Sequence, residues 1–108
     1  MSARSDLVRE PFEKGFDPER ARDNTAEDAV LYAPGVGPEI RGRDAIIDVL
    51  TKFWAENDPQ YRVVGEAEHG SFVVLFLEAT IGGRNFELSN TYLFDETDKL
   101  RGLWAIRA

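Results

Sequence analysis

The pattern of apolar and polar positions divides this chain into a mainly helical first half and a strand-rich second half. In the first segment, apolar side chains recur at helical spacing, at Leu7, Val8, Phe12 and Phe16. Pro11 removes a backbone donor and clashes with the preceding turn, so this pattern predicts an opening helix that is short or broken. Asp17 followed by Pro18 is typical of a helix start, with Asp as the cap and Pro at the first helical position.

The middle of the chain predicts a strand, a crossing and a long helix. Residues 29–33 (AVLYA) read as a strand, which is followed by a turn-rich crossing at Pro34, Gly35, Gly37 and Pro38. Gly42 and Asp44 then open an amphipathic helix whose apolar stripe is formed by Ile46, Val49, Leu50 and Phe53. Residues 57–59 (NDP) end this helix.

Four strands are predicted after the long helix. Residues 61–68, 72–80 and 84–94 are strand-like and are separated by two segments of hairpin length, and residues 100–107 form a last strand after a polar turn. Helices followed by an antiparallel meander predict an α+β fold in which the helices pack on one face of the sheet. A length of 108 residues suffices for one core, so residues 1–108 are predicted to form a single domain.

The apolar strand that begins at Phe72 predicts that a second protein chain covers the sheet. Residues 72–77 (FVVLFL) are apolar at every position, whereas a strand with one solvated face should alternate. Because the helices can cover only one face, we expect a second copy of the chain to cover the other, which predicts a homodimer formed through the sheet face.

Composition and charge exclude several classes of function. Thirteen basic against 20 acidic residues give a net charge of −7, so nucleic acid and anionic membranes are poor partners. With one His and no Cys, the sequence predicts no metal site, and no glycine-rich phosphate motif points to a nucleotide cofactor. The absence of Cys, of a signal-like apolar segment and of a membrane-length apolar run predicts a cytoplasmic location.

Three segments together carry a resemblance to a known family: DAVLYAPG before the crossing, GRDAI at the start of the long helix, and YLFDETDKL followed by LW near the end. In these the chain resembles the nuclear transport factor 2-like superfamily, in its SnoaL-like branch, which includes ketosteroid isomerase-like and polyketide cyclase-like proteins. The resemblance implies a cystatin-like α+β barrel: a curved antiparallel or mixed sheet forms a cone around the long helix and leaves a pocket. Such proteins include isomerases, cyclases and hydrolases as well as proteins that only bind or dimerise, so the fold does not choose the function.

The resemblance also supplies candidate site residues. At the position of the ketosteroid isomerase general base this chain has Ala33, which cannot take a proton, and at the oxyanion-hole acid it has Asn90, which can still donate a hydrogen bond. In the limonene epoxide hydrolase pattern Tyr32 matches the catalytic Tyr, but Pro34 replaces the Asn. The relay positions fall near Leu77, Ala79 and Ala105, and a shift of one residue would bring Glu78 into the first of them.

We therefore expect a pocket in which Tyr32, Asn90 and Glu78 are the candidate catalytic groups. Its predicted walls are Tyr92, Trp54, Trp104, Ala33 and Phe94, since period two places Asn90, Tyr92 and Phe94 on one strand face. Alternatively, the tyrosines are core residues and Asn90 bonds the backbone. Glu78 either faces the pocket, pairs with an Arg such as Arg84, or lies in water at the sheet rim.

Three other residues have ordinary explanations. We expect His69 to lie in a hairpin turn away from the pocket. Arg41 and Arg43 either steer an anionic ligand or, as we expect, pair with Glu39, Asp44 or solvent. Two function classes remain. One is a cofactor-free isomerase, cyclase or hydrolase-like enzyme acting on a small apolar compound. The other is a non-catalytic ligand-binding or dimerisation module whose pocket lacks a general base.

Overall fold

The computed structural model describes residues 2–33 and 38–108, within which lie three helices and six strands. In chain order they are α1 (Ala3–Lys14), α2 (Pro18–Asp23), β1 (Thr25–Tyr32), β2 (Ile40–Arg41), α3 (Arg43–Asn57), β3 (Gln60–His69), β4 (Phe72–Ile81), β5 (Arg84–Phe94) and β6 (Leu100–Arg107). The predicted α+β class is confirmed. Of the predicted crossing, Pro34, Gly35 and Gly37 lie outside the described residues, and Pro38 lies within them.

Helix α1 is longer than the sequence predicts, because it continues through Pro11 without a break. The Ser2 hydroxyl caps its start by accepting a hydrogen bond from the Ser5 amide at 3.1 Å. Val8 is fully packed in the core between the helix and the sheet, with Phe12 beside it. This packing offsets the hydrogen bond that proline cannot make, and the helix ends only at Gly15, whose φ of 93° suits glycine.

The two other helices begin where the sequence predicts. The Asp17 carboxylate accepts a hydrogen bond from the Glu19 amide at 3.0 Å, and Pro18 is the first residue of α2. Helix α3 follows Gly42, whose amide donates to the Ala29 carbonyl at 2.8 Å. This bond ties the start of the long helix to β1.

The six strands form one mixed sheet in the order β2-β1-β6-β5-β4-β3. Strands β3, β4, β5 and β6 are the predicted antiparallel meander, and β6 also pairs with β1 in parallel, with Tyr32 opposite Trp104. Strand β1 begins four residues earlier than predicted because Thr25 pairs with Leu100. The two-residue β2 was not predicted. Register shifts in three strand pairs locally disrupt the ladder and bend the sheet.

The two faces of the sheet differ in what covers them. On the inner face, Val73, Leu75 and Leu77 of β4 are at most 1% exposed beneath the helices. On the outer face, Phe72 and Phe76 of the same strand each keep 45% of their surface exposed. One chain therefore covers one face only. No helix in the described part of the chain combines the length and the apolar composition needed to cross a membrane.

Candidate functional site

A cavity of about 620 Å³ lies between the helices and the inner face of the sheet. Its walls are mainly apolar side chains of α3 and of the strands β1, β5 and β6, among them Ala33, Ile46, Leu50, Phe53, Trp54, Leu88, Leu103 and Ala105. Its volume lies within the range of about 300–1,000 Å³ that is usual for small-molecule sites. The cavity is therefore large enough for an organic molecule.

Two polar side chains of β5, Asn90 and Tyr92, form a hydrogen-bonded pair in this apolar wall. Asn90 Nδ2 donates to the Tyr92 hydroxyl oxygen at 3.1 Å, and both residues are buried, at 6% and 4% exposure. Asn90 Oδ1 is completely buried and has no hydrogen-bond partner in the described structure. The Tyr92 hydroxyl keeps its own proton to donate. The pair thus offers one free acceptor and one free donor.

The tyrosines of the cavity are neutral phenols at ordinary pH. Burial raises the pKa of Tyr92 far above its usual value, and the hydrogen bond from Asn90 only partly opposes this shift. Burial also raises the pKa of Tyr61, to about 12. Both hydroxyls can donate hydrogen bonds near neutrality, but neither is a base there.

Four aromatic rings form a cluster at the cavity wall contributed by the helices and β3. Tyr61 lies edge-on to Phe12 with centroids 4.8 Å apart and packs on Trp54 at 5.3 Å, while Phe16 stacks on Trp54 at 6.0 Å. All four residues line the cavity. These contacts fix one apolar wall and give it flat surfaces.

Four charged residues also line the cavity, three on the helical side and one on the sheet. Arg20 and Glu10 form an ion pair with Nη2 and Oε2 3.0 Å apart, and Asp17 caps α2. Arg107, on β6, places its guanidinium over the Phe86 ring. No carboxylate of the described residues hydrogen-bonds to Asn90 or Tyr92.

The sequence matches one family model over residues 10–101, which is most of the chain, and that model describes a SnoaL-like domain. The chain belongs to the SnoaL-like domain family. No protein with a curated function matches the sequence. The family assignment agrees with the resemblance drawn from the three sequence segments.

Solved structures share the fold at low sequence identity. A nuclear transport factor 2-like protein of unknown function from Cytophaga hutchinsonii superposes with a TM-score of 0.79 at 18% identity, over 100% of this chain and 92% of its own. A proposed ketosteroid isomerase from Kribbella flavida gives 0.82 at 17% identity, over 97% and 77%. IdmH from Streptomyces antibioticus, a proposed polyketide cyclase, gives 0.75 at 22% identity, over 98% and 92%. These likenesses establish the cystatin-like, nuclear transport factor 2-like fold and no activity.

Of the predicted site residues, this SnoaL-like domain brings Asn90, Tyr92, Trp54 and Ala33 together around the cavity. The methyl group of Ala33 lines the wall, where the ketosteroid isomerase pattern has its general base. Asn90 pairs with Tyr92 rather than with the backbone.

The prediction that Tyr32 and Glu78 face the pocket is wrong. Leu31 is buried at 1% exposure, so alternation turns its neighbour Tyr32 outward, where 52% of its surface is exposed. Glu78 lies on the outer face opposite Arg62, whose Nε donates to Glu78 Oε1 at 3.0 Å. The prediction that Glu78 pairs with an Arg holds, although the partner is Arg62 and not Arg84.

Two predicted wall residues also lie elsewhere. Trp104 is on the outer face of β6 and covers Gly102, where an added Cβ would come within 2.4 Å of the indole ring. Phe94 is buried at 2% exposure in the hydrophobic core with Val8 and does not line the cavity. Alternation explains the first error, since Leu103 and Ala105 take the inner face.

The sequence analysis missed the aromatic cluster and Arg107. Extending the alternation from Asn90 back along β5 would have placed Phe86 and Leu88 on the cavity face, and the same step along β6 would have placed Arg107 there. His69 is exposed and away from the cavity, as expected, although it is the last residue of β3 rather than part of the hairpin turn. Arg41 and Arg43 lie beside carboxylates, as expected, Arg41 Nη2 being 3.1 Å from Glu39 Oε2. The part of the chain that is described contains no cluster of metal-binding side chains.

Proposed function

We propose that this SnoaL-like domain binds a small, predominantly apolar molecule that carries one carbonyl or hydroxyl group. The observation that carries the proposal is the Asn90–Tyr92 pair in the cavity wall, with Asn90 Oδ1 buried and unpaired. A buried polar atom without a partner costs about 1–3 kcal/mol, and a ligand hydroxyl can remove that cost by donating to it. The Tyr92 hydroxyl donates to a ligand carbonyl in the same way.

Binding without catalysis is the function that the cavity chemistry supports best. Acid–base catalysis needs a group that accepts a proton near neutral pH, and Ala33 supplies none. The raised pKa values of Tyr61 and Tyr92 keep both phenols protonated, and Glu10 is engaged with Arg20. The proposed role is therefore recognition and sequestration of the ligand.

A cofactor-free enzyme is the second candidate, favoured by the free hydrogen-bond donor of the Asn90–Tyr92 pair, the Tyr92 hydroxyl. Donors of this kind stabilise negative charge that develops on a carbonyl oxygen. The names of the solved relatives, a proposed ketosteroid isomerase and a proposed polyketide cyclase, suggest carbonyl substrates for a test. Turnover of a 3-ketosteroid that is lost in Tyr92→Phe would favour this candidate over binding alone.

Calorimetric titration with a matched pair of ligands tests the binding proposal. We expect 2-acetylnaphthalene to bind more tightly than 2-ethylnaphthalene, because only the ketone accepts a hydrogen bond from the pair. In Tyr92→Phe, which removes the donating hydroxyl, the ketone should lose about fivefold in affinity and the hydrocarbon should not. Thr91→Val, on the opposite strand face, should leave both affinities unchanged. Equal affinities for the two ligands in the native protein would refute the role of Asn90 and Tyr92.

A spectroscopic measurement places the ligand. The chain has two tryptophans, Trp54 at the cavity and Trp104 on the outer face, so two indole N–H signals are expected in a nitrogen–proton correlation spectrum. Trp104→Phe identifies them. Ligand binding in the cavity should move the Trp54 signal and leave the Trp104 signal in place, and the reverse result would contradict the proposal.

We also propose that a second copy of the chain covers the outer face of the sheet. Phe72, Phe76 and Tyr32 are each about half exposed there, which leaves roughly 300 Å² of aromatic surface in contact with water, and Ile106 adds more at 60% exposure. The largest apolar patch of a typical monomer is about 300–600 Å², and patches of this size commonly mark an interface. Two identical apolar faces related by a two-fold axis are self-complementary.

Sedimentation equilibrium tests the homodimer. The native chain should sediment as a dimer at micromolar concentration, and Phe76→Lys should make it a monomer because a charge would be buried at the centre of the face. Thr51→Lys, on the exposed side of α3, introduces the same charge away from the face and should remain dimeric. A native monomer would contradict this part of the proposal.

A further inference from the structure

Arg107 is a cavity residue whose positive charge has no partner in the described structure. Its guanidinium lies 5.4 Å from the centroid of the Phe86 ring, and both residues line the cavity. Across residues 2–33 and 38–108 no carboxylate pairs with it and no hydrogen bond holds it. Among the residues that the structure describes, the specific contact of its guanidinium is with the Phe86 ring beneath it.

The other charged groups of the cavity are compensated. Glu10 pairs with Arg20, and the Asp17 carboxylate accepts hydrogen bonds from the first amides of α2. Arg107 is exposed to solvent, like most basic residues of the described structure, and what distinguishes it is its place in the cavity lining beside the Phe86 ring. A ligand that places an anionic group beside Arg107 would therefore give this cation a partner.

The position of Arg107 relative to the Asn90–Tyr92 pair defines a second contact for the same ligand. Asn90 is opposite Ala105 in the β5–β6 ladder, and Arg107 is two residues further along β6 on the same inner face. Two residues of a strand span about 7 Å, so the Arg107 backbone lies one strand step beyond the position opposite Asn90, and its guanidinium reaches further along the sheet to the Phe86 ring. An extended molecule lying along the strands can contact both.

We propose that Arg107 selects a ligand with a carboxylate, so that the molecule bound in the cavity is an apolar carboxylic acid with a carbonyl or hydroxyl group at its other end. This inference rests on the proposed binding function. A guanidinium that is stacked on a ring keeps the N–H donors along its edge free, and these donors match the two oxygens of a carboxylate. The contact with the Phe86 ring also restricts the guanidinium before the ligand binds, so less conformational entropy is lost on binding.

Titration with 6-acetyl-2-naphthoic acid and its methyl ester tests the proposal, because the two probes differ only in the charge at one end. We expect the acid to bind about fivefold to tenfold more tightly than the ester at low salt, and the preference to shrink as salt screens the charge. Arg107→Gln should abolish the preference by weakening the acid alone. Arg107→Lys should restore only part of it, since a lysine cannot form the planar fork.

Arg101→Gln is the matched control, because Arg101 is an exposed residue of the same strand that does not line the cavity. It makes the same change in net charge and should leave both affinities unchanged. Equal binding of acid and ester to the native protein, or an equal loss of the preference in Arg101→Gln, would overturn the inference. Failure of the acid, the ester and 2-acetylnaphthalene to bind would instead reject the proposed binding function.

Discussion

The hydrogen bond between Asn90 and Tyr92 predicts that Tyr92→Phe destabilises the fold more than Asn90→Leu does, although each variant breaks the same bond. Tyr92→Phe removes the hydroxyl and leaves Asn90 with neither amide atom paired, at a position that is 6% exposed. Leaving a buried polar group unpaired costs about 1–3 kcal/mol. For a chain of 108 residues, 1 kcal/mol corresponds to about 4 °C in Tm, so we expect Tm to fall by about 4–12 °C.

Asn90→Leu should cost much less, although it breaks the same hydrogen bond. It removes both amide atoms of Asn90, including the unpaired Oδ1, so that one buried hydroxyl rather than a whole buried amide is left without a partner. We expect the free energy of unfolding to change by less than about 1 kcal/mol. Adding Asn90→Leu to Tyr92→Phe should therefore recover most of the stability that Tyr92→Phe loses.

Urea unfolding of the four proteins, followed by circular dichroism at 25 °C, measures this cycle directly. The double variant should be more stable than Tyr92→Phe, with a coupling energy of about 1–2 kcal/mol. Equal slopes of the free energy against urea would show that the denatured states are comparable. Additive changes, or a Tyr92→Phe protein within 0.5 kcal/mol of the native one, would refute the assignment of a buried, ligand-directed polar pair.

Three further predictions concern other parts of the structure. Gly102→Ala should lower the free energy of unfolding by about 1–3 kcal/mol, because the new Cβ would lie 2.4 Å from the Trp104 ring. Thermal unfolding should show that adding Trp104→Ala to Gly102→Ala restores much of the loss. The pKa of Tyr61 is raised to about 12 in the folded state, so the folded state keeps this proton while the unfolded state releases it near pH 10. Urea unfolding should therefore show the free energy of unfolding falling between about pH 10 and 12. In Tyr61→Phe this fall should be less steep. Glu78→Gln should change the affinity for 2-acetylnaphthalene by less than twofold, because Glu78 lies outside the cavity. A larger loss of affinity in calorimetry would show that Glu78 contributes to the binding site.

The sequence predicts the elements well because periodicity is a local property of the chain. The stripe of α3 and the alternation of β5 each pair an apolar face with a more polar one, so both the type and the orientation of these elements follow. Asn90 and Tyr92 were therefore placed correctly. Pro11 was read as a break because local chemistry disfavours it in a helix, and only the packing of Val8 and Phe12 shows why the helix continues.

Orientation could not be predicted where both faces of a strand are apolar. In residues 29–33 the alternation gives no phase, and Tyr32 was assigned to the pocket although Leu31 occupies the inner position. Glu78 and Trp104 were misplaced for the same reason, since a uniform apolar run does not tell which residues meet the helices. The cavity itself depends on how separate elements meet, and no local pattern specifies that.

The place of β6 in the middle of the sheet has a consequence for biosynthesis. This strand is the last to leave the ribosome among those described, yet it joins β1 to β5, which were made long before it. Until it emerges, β1 and the helix α3 that packs on it have no strand to join them to the β3–β5 meander. A nascent chain stalled before Leu100 should therefore stay sensitive to protease over its first third, and release of eight more residues should protect the whole chain at once.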